Sequence, residues 1–252
     1  MEDRPSAELD ELLQGALSLG VALSPPQGRR LLSLWDAVEA AGKRVNLTAL
    51  RDRREALEKH LLDSIALLAW RPCGEEGLRV VDVGSGGGFP GLALKAVCPG
   101  WRVTLLEATG KKVRALEEVA GRLGWEVETV WGRAEDEGRG KLREAFALAT
   151  ARALASPWVA LEWVLPLVAV GGEAWFWWGP GTDPDDIRQD LVEVAGILGA
   201  RLLGVRPYRL PFSGAERRLW GFKKDWATPD EYPRRVGVAQ RKPLGRLGGG
   251  RA

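Results

Sequence analysis

The spacing of apolar positions changes once along the chain, near residue 78. Before it, Leu9, Leu12, Leu13, Ala16 and Leu17 recur at helical intervals. Leu31, Leu34, Trp35 and Val38 do the same, as do Leu57, Leu61, Ile65 and Leu68, so three helices are predicted. Ser24-Pro25-Pro26-Gln27 opens the second, with a capping residue, prolines suited to a first turn and a glutamine placed to close a capping box. Between the second and third helices lies a polar, basic loop, GKRVNLTALRDRRE (42–55). From Leu78 onward short β-rich runs take over: 78–83, 101–107, 125–131, 145–152 and 170–178. Helical stretches separate them, such as 111–124, where Val113, Leu116, Val119, Ala120 and Leu123 share one face. Alternation of this kind predicts an α/β, doubly wound, mostly parallel sheet covered on both faces. Runs 200–210 and 217–226 have no helix between them and predict an antiparallel hairpin closing the edge as strands six and seven. After Pro229 the pattern is that of a loop, ending in glycines. The expected organisation is a helical extension (1–71), a nucleotide-binding core (72–228) and a basic tail (229–252), all in one compact domain.

Composition narrows the class. Apolar residues at 45% and charged residues at 28% exclude global disorder, collagen-like and coiled-coil architectures. The best apolar run, Trp158 to Val170, is too short to span a bilayer and is broken by Glu162 and Pro166. The opening MEDRPSAELD has no apolar signal core, so a cytoplasmic address is expected. The net charge of +2 hides an asymmetry: residues 201–252 sum to +9 and residues 1–200 to −7. Arg217, Arg218, Lys223, Lys224, Arg234, Arg235, Arg241 and Lys242 lie on the hairpin and tail, either as a polyanion-binding edge or as a solvated face. One Asn, four Gln, two Cys and a lone initiator Met point to a heat-loving source, although codon bias also explains part of the excess of 27 Arg over 9 Lys. Cys73 and Cys98 form no CxxC pair, so no metal is expected and reduced thiols are the default, a thermophile disulfide being the exception.

The most informative stretch is VVDVGSGGGFPG (80–91), an apolar strand running into a glycine-packed turn and a helix. Glycines there allow a sharp turn and a close ligand approach beside a helix N-terminus. Two patterns fit: Gly86-x-Gly88-x-x-Gly91 of dinucleotide sites, and Asp82-x-Gly84-x-Gly86-x-Gly88 of S-adenosylmethionine (SAM) sites. Glu107 at the end of the second strand suits the ribose of either cofactor. GRAEDE (132–137) after the third strand, where Glu135 could receive an adenine amino group, favours SAM, as does the closing hairpin. No Asn/Asp-Pro-Pro-Tyr/Phe run follows the fourth strand, and neither Cys stands near it, which argues against exocyclic-amine and carbon-5 methylation. Arg152 at that strand's end is the one candidate for a catalytic side chain. A ring nitrogen such as guanine N-7 needs alignment rather than a base. Phe89 is either packing beneath the turn or a flank of the cofactor; Arg152 either meets substrate or pairs with an acid such as Glu135. His60, the only histidine, is either a packed helix residue or part of the site. WFWW (175–178) reads first as core, with at least two rings inward.

NLTAL (46–50), HLLDSIAL (60–67), DVGSGGGFPGL (82–92), LLEATGKKVRAL (105–116), GRAE (132–135), ARALA (151–155) and YPRRVGVAQRKPL (232–244) occur in one order. Together they resemble the ribosomal RNA small subunit methyltransferase G family, also called glucose-inhibited division protein B, across residues 25–245. The resemblance implies a class I SAM-dependent methyltransferase fold, seven-stranded and Rossmann-like, that methylates N-7 of one guanine in the 530 loop of 16S rRNA and releases S-adenosylhomocysteine. It implies SAM contacts at Gly84, Phe89, Glu107, Ala108, Thr109, Ala134, Glu135 and Arg152, with Gly86 in the glycine turn between them. Asn46, His60, Arg234, Arg235 and Lys242 would face the RNA. The partner implied is 16S rRNA or the small ribosomal subunit, met by a monomer without a membrane. The family usually has Lys-Gly after the fifth strand, and this chain has Trp178-Gly179. The other readings are an NAD-type oxidoreductase and a non-catalytic SAM- or RNA-binding assembly module.

Overall fold

Strands whose apolar residues run almost without a break pair side by side in parallel, because both of their faces are covered. In this computed structural model, which describes residues 6–42, 45–50, 52–74, 76–179, 181 and 185–245, five parallel strands form the body of the sheet, four of this kind and one half-covered strand at the edge. They are β1 (Arg79–Val83), β2 (Arg102–Glu107), β3 (Glu128–Trp131), β4 (Phe146–Arg152) and β5 (Val168–Trp178). β6 (Ala200–Arg209) and β7 (Glu216–Lys224) form the antiparallel hairpin, and the order is β3-β2-β1-β4-β5-β7-β6. The order reverses between β1 and β4. That is where an open α/β sheet leaves a crevice beyond its carboxyl ends.

One face carries α1 (Ser6–Ser18), α2 (Pro25–Gly42), α5 (Gly91–Val97) and α6 (Gly110–Leu123), packed on Val80, Leu105, Leu148, Trp175 and Trp177. The helical preface shares this layer, so its apolar stripe is core. As predicted, Gln27 turns back to accept the Ser24 N–H at 2.9 Å and closes one half of the capping box. The other face carries α8 (Pro157–Val164) and α9 (Asp185–Ile197), packed on Val81, Val83, Ala149, Phe176 and Trp178. Strand alternation thus sends Trp175 and Trp177 one way and Phe176 and Trp178 the other, and all four rings are buried.

The third predicted helix is a composite rod over 53–69: α3 (Arg53–Ala56), a π-helical turn (Leu57–Leu62), α4 (Asp63–Ile65) and a 3-10 turn (Ala66–Ala69). Asp52 caps it by accepting the Glu55 N–H at 2.8 Å. Two expectations are corrected. The segment after Pro229 is not all loop, since Val238–Arg241 forms a one-turn helix, α10. Carbonyls of Thr228, Pro229 and Tyr232 accept from Arg143, and that of Pro233 from Arg139, which straps this segment to the body. Cys73 and Cys98 are joined in a disulfide with Cα atoms 5.4 Å apart, tying the loop before β1 to the end of α5. Among the described residues no helix is long and apolar enough to cross a membrane.

Candidate active site

The crevice is built from the glycine turn upward. Gly84, Gly86 and Gly88 take φ of +71°, +54° and +92°, a region where a Cβ clashes with its own backbone. At Gly88 an added Cβ would also lie 2.5 Å from Leu92 Cδ1, so turn and following helix close only over glycine. Asp82 underpins the turn. One carboxylate oxygen accepts the Gly91 N–H at 3.0 Å and the other the Thr150 hydroxyl at 2.9 Å. Burial pushes its pKa up to about 6, against these hydrogen bonds. Glu107, at the adjoining strand end, is buried rather than solvated. Its Oε2 accepts the Gly86 N–H at 2.9 Å and its Oε1 the Thr109 N–H at 2.8 Å. The acid therefore fixes the turn before any ligand arrives.

Above the turn opens a cleft of about 970 Å³, lined by Gly84, Gly86, Phe89, Glu107, Ala108 and Arg152 among others. A smaller recess of about 60 Å³ adjoins it, sharing Gly84, Ala108 and Leu154 and walled by Ala134, Glu135 and Trp163. The candidate cofactor residues are thus brought together, with Thr109 tied in through Glu107. An elongated ligand fits this pair: the recess is mainly apolar with one buried acid, and at Gly86 a Cβ would meet nothing closer than 3.8 Å. Glu135 also accepts from the Gly237 N–H at 3.3 Å, which connects the recess to the tail.

The opposite wall comes from the preface. Leu47 to Leu50, Lys59, His60 and Asp63 line the cleft, and Asn46 is exposed beside them. Arg152 does not pair with Glu135. Its Nη1 donates to Asp63 Oδ2 at 3.0 Å and to the Lys59 carbonyl at 2.9 Å. Asp63 accepts the Tyr208 hydroxyl through its other oxygen, and its carbonyl accepts the Trp177 indole N–H at 2.8 Å. His60 stacks on Phe89 at 4.7 Å between ring centroids and on Trp35 at 5.7 Å. Arg152 can only donate, so Nδ1, 3.4 Å from it, is the acceptor, and Nε2–H is assigned as donor to Thr48 Oγ1 at 2.6 Å. Burial, with the Arg152 and Lys59 cations behind it, holds the imidazole neutral with a pKa down to about 4. Phe89 is at once packing beneath the turn and a wall of the cleft.

The basic tail divides. Arg234 is bound to the fully buried Glu162: Nε lies 2.9 Å from Oε1 and Nη2 2.5 Å from Oε2, while its backbone N–H donates to Oε1 at 2.9 Å. Its Nη2 also donates to the Lys242 carbonyl at 2.8 Å. Lys224, counted in sequence as part of a basic face, is wholly buried and donates to the Leu165 carbonyl at 2.9 Å. Arg235, Arg241 and Lys242 are exposed. Trp178, where the family usually has Lys, lines the cleft but packs on Phe176 at 4.7 Å. Sequence reasoning passed over Asp63, Thr48, Lys59 and Tyr208. A signal for Asp63 existed, since His60 and Asp63 stand three apart on a helix and so share a face.

A family model for rRNA small subunit methyltransferase G matches residues 27–189. A ribosomal RNA small subunit methyltransferase G of Pelotomaculum thermopropionicum is 39% identical over 238 residues, covering 93% of this chain and 98% of that one. One of Symbiobacterium thermophilum is 42% identical over 242 residues, covering 92% and 96%. Among solved structures, TrmN from Thermus thermophilus aligns with TM-score 0.50 and 20% identity over 73% of this chain and 53% of that one. A branched-chain polyamine synthase mutein from the same organism aligns at 0.53 and 17% over 75% and 63%. These two likenesses bear on the fold alone, which is the Rossmann-like fold of class I SAM-dependent methyltransferases. With the family model matching 27–189 and curated relatives matched along nearly their whole length, the chain belongs to the rRNA small subunit methyltransferase G family.

Proposed function

We propose that this chain is a SAM-dependent methyltransferase acting on N-7 of a guanine in the 530 loop of 16S rRNA. The relatives' name supports the substrate class. The observation that carries the position is the state of the cleft's side chains. His60 is neutral with both ring nitrogens engaged, Asp63 is held by Arg152 and Tyr208, and Glu107 by two backbone N–H groups. None is poised as a general base. Guanine N-7 carries an available lone pair and has no proton to lose, so alignment is the main requirement.

The cleft and recess suit SAM better than a dinucleotide, since family membership now stands beside the Asp82-x-Gly84-x-Gly86-x-Gly88 pattern. Glu107, still an acceptor, would take ribose hydroxyls. Ala108, Ala134 and Glu135 would hold the adenine, and Gly84, Gly86 and Phe89 the amino-acid end. When bound, SAM supplies a methyl group made electrophilic by its sulfonium. The protein's part is orientation: Asp63 fixes the Arg152 guanidinium, and Thr48 with Arg152 fixes the His60 ring. Arg152, His60 and Asn46 would then orient the base, while exposed Arg235 and Lys242 meet phosphates. This reading places the protein with the small subunit or its RNA, in the cytoplasm.

Incubation with labelled SAM and small-subunit RNA, followed by nucleoside mapping, is expected to yield 7-methylguanosine at one position. Label on protein, on a small molecule or on another atom of the base overturns the assignment. Tight RNA binding without turnover favours an assembly module.

A further inference from the structure

Trp131 is the most exposed large apolar side chain among the described residues, 69% accessible, and it stands beside the cofactor end of the cleft. Its place is set by the sheet: Trp131 closes β3 in register with Glu107, and the Gly132 N–H donates to the Glu107 carbonyl. The ring is fixed. Its indole N–H donates to the Ala108 carbonyl at 3.1 Å. It also lies across Gly110, where a Cβ would come within 3.0 Å of Trp131 Cε2. One side of the indole therefore rests on backbone, and much of the remainder is open to solvent. A fixed, exposed indole suits base stacking, which tolerates any base because each has a π face.

The surroundings have the matching charge. Lys111, Lys112 and Arg114 open α6 immediately after Gly110, with no acid before Glu117, Lys111 and Arg114 lying toward the end of α2, and Arg133 follows two residues beyond the ring. Lys112 also lines the cleft. None of these four cations has a carboxylate partner among the described residues, in contrast to Arg234 with Glu162 and Arg209 with Glu216. Asp136 and Glu137, the nearby acids, follow on α7 (Ala134–Glu137), and Glu137 lies against Gly132.

We propose that Trp131, with Lys112 and Arg133 on the cleft and recess beside it, is a stacking platform for one nucleobase of single-stranded RNA next to the nucleotide in the cleft. This rests on the RNA-methyltransferase reading and adds a second RNA-contacting surface, at the β3 end of the recess. The platform holds flanking sequence and leaves the reacting base to the cleft.

The test compares wild type, Trp131→Ala and Trp131→Phe with a synthetic stem-loop carrying the 530-loop sequence. Equilibrium RNA binding is measured without SAM, SAM affinity without RNA, and transfer with both. Trp131→Ala is expected to weaken RNA binding and raise the RNA KM by about tenfold, a typical stacking effect, with kcat and SAM affinity unchanged. Trp131→Phe should retain most of the binding. Unchanged RNA binding in Trp131→Ala overturns the proposal, and so does an equal loss of SAM affinity, which would make the ring part of the cofactor site. Because RNA binding is read separately from transfer, wild type that binds the stem-loop without methylating guanine N-7 defeats the functional reading and leaves the platform standing.

Discussion

The glycine turn at 80–91 and the basic segment at 224–245 both look like ligand-binding stretches in sequence, yet they are built on opposite principles. In the turn, each residue's task follows from its own backbone: positive φ at Gly84, Gly86 and Gly88, with Asp82 and Glu107 receiving nearby N–H groups. In the basic segment, a residue's task depends on what lies opposite it from elsewhere in the chain. Arg234 meets Glu162 from α8 and Lys224 meets Glu144 and Leu165, whereas Arg235 is exposed. Charge alone does not separate an anchor from a contact.

The largest expected effect separates two neighbours. Arg234→Ala strands the carboxylate of Glu162, which has no exposure, and removal of one partner from a buried pair is strongly destabilising. Because Arg234 keeps some solvent access, the expected loss is about 3 kcal/mol in urea unfolding. Arg235→Ala should stay within about 0.5 kcal/mol of wild type, and adding Glu162→Gln to Arg234→Ala should restore part of the loss. Equal stabilities for the two arginine variants would erase the distinction between anchor and contact.

A second effect tests the cleft wall through pH. The folded-state pKa of His60 is lowered to about 4 from an ordinary 6.5. The unfolded chain thus takes up the proton first as pH falls, and stability present above about pH 6.5 is lost on the way down to about pH 4. The shift corresponds to about 3 kcal/mol at most, and solvent access to the ring brings the expected loss to about 2 kcal/mol. His60→Gln should flatten the profile in that window. An unchanged slope would mean that the imidazole is not held between Phe89, Trp35 and Arg152.

These two cases show what was legible in sequence. The central strands β1, β2, β4 and β5 were readable because burial on both faces leaves near-continuous apolar runs, the partly exposed edge strands β3 and β6 as β-rich runs set between helices or turns, and the turn because glycine spacing reflects backbone geometry. The π-helical turn at Leu57–Leu62 was not, since its apolar spacing also fits an ordinary helix. Neither was the ion pair of Arg152 with Asp63, whose partners are 89 residues apart in sequence. The tail's one-turn helix was hidden for a similar reason: the segment leading into it is held by Arg139 and Arg143, and the Gly237 N–H before it by Glu135, all distant in sequence.

Gly86 gives a smaller and cleaner probe of the turn than Gly88. A Cβ at Gly86 meets nothing closer than 3.8 Å, so Gly86→Ala adds only the strain of φ +54°. That strain is about 1 kcal/mol, read as a matching loss of stability. Relaxation of the turn would also withdraw its N–H from Glu107, so SAM affinity measured by calorimetry should fall several-fold. Full SAM affinity in Gly86→Ala would show that the positive-φ geometry is not needed for binding.

The smallest effect concerns the exposed part of the basic segment. Arg235 and Lys242 are exposed, and each phosphate contact to single-stranded RNA releases about 0.7 of a counterion. Arg235→Ala and Lys242→Ala should therefore each reduce the slope of log K against log salt by about that amount, without altering stability or SAM affinity. Arg234 is tied to this exposed pair through its hydrogen bond to the Lys242 carbonyl. Arg234→Lys should thus weaken RNA binding through the placement of Lys242, and the added loss should vanish in a Lys242→Ala background. If Arg234→Lys lowers the salt slope independently of Lys242, the guanidinium itself touches phosphate, and the segment would serve as anchor and contact at one residue.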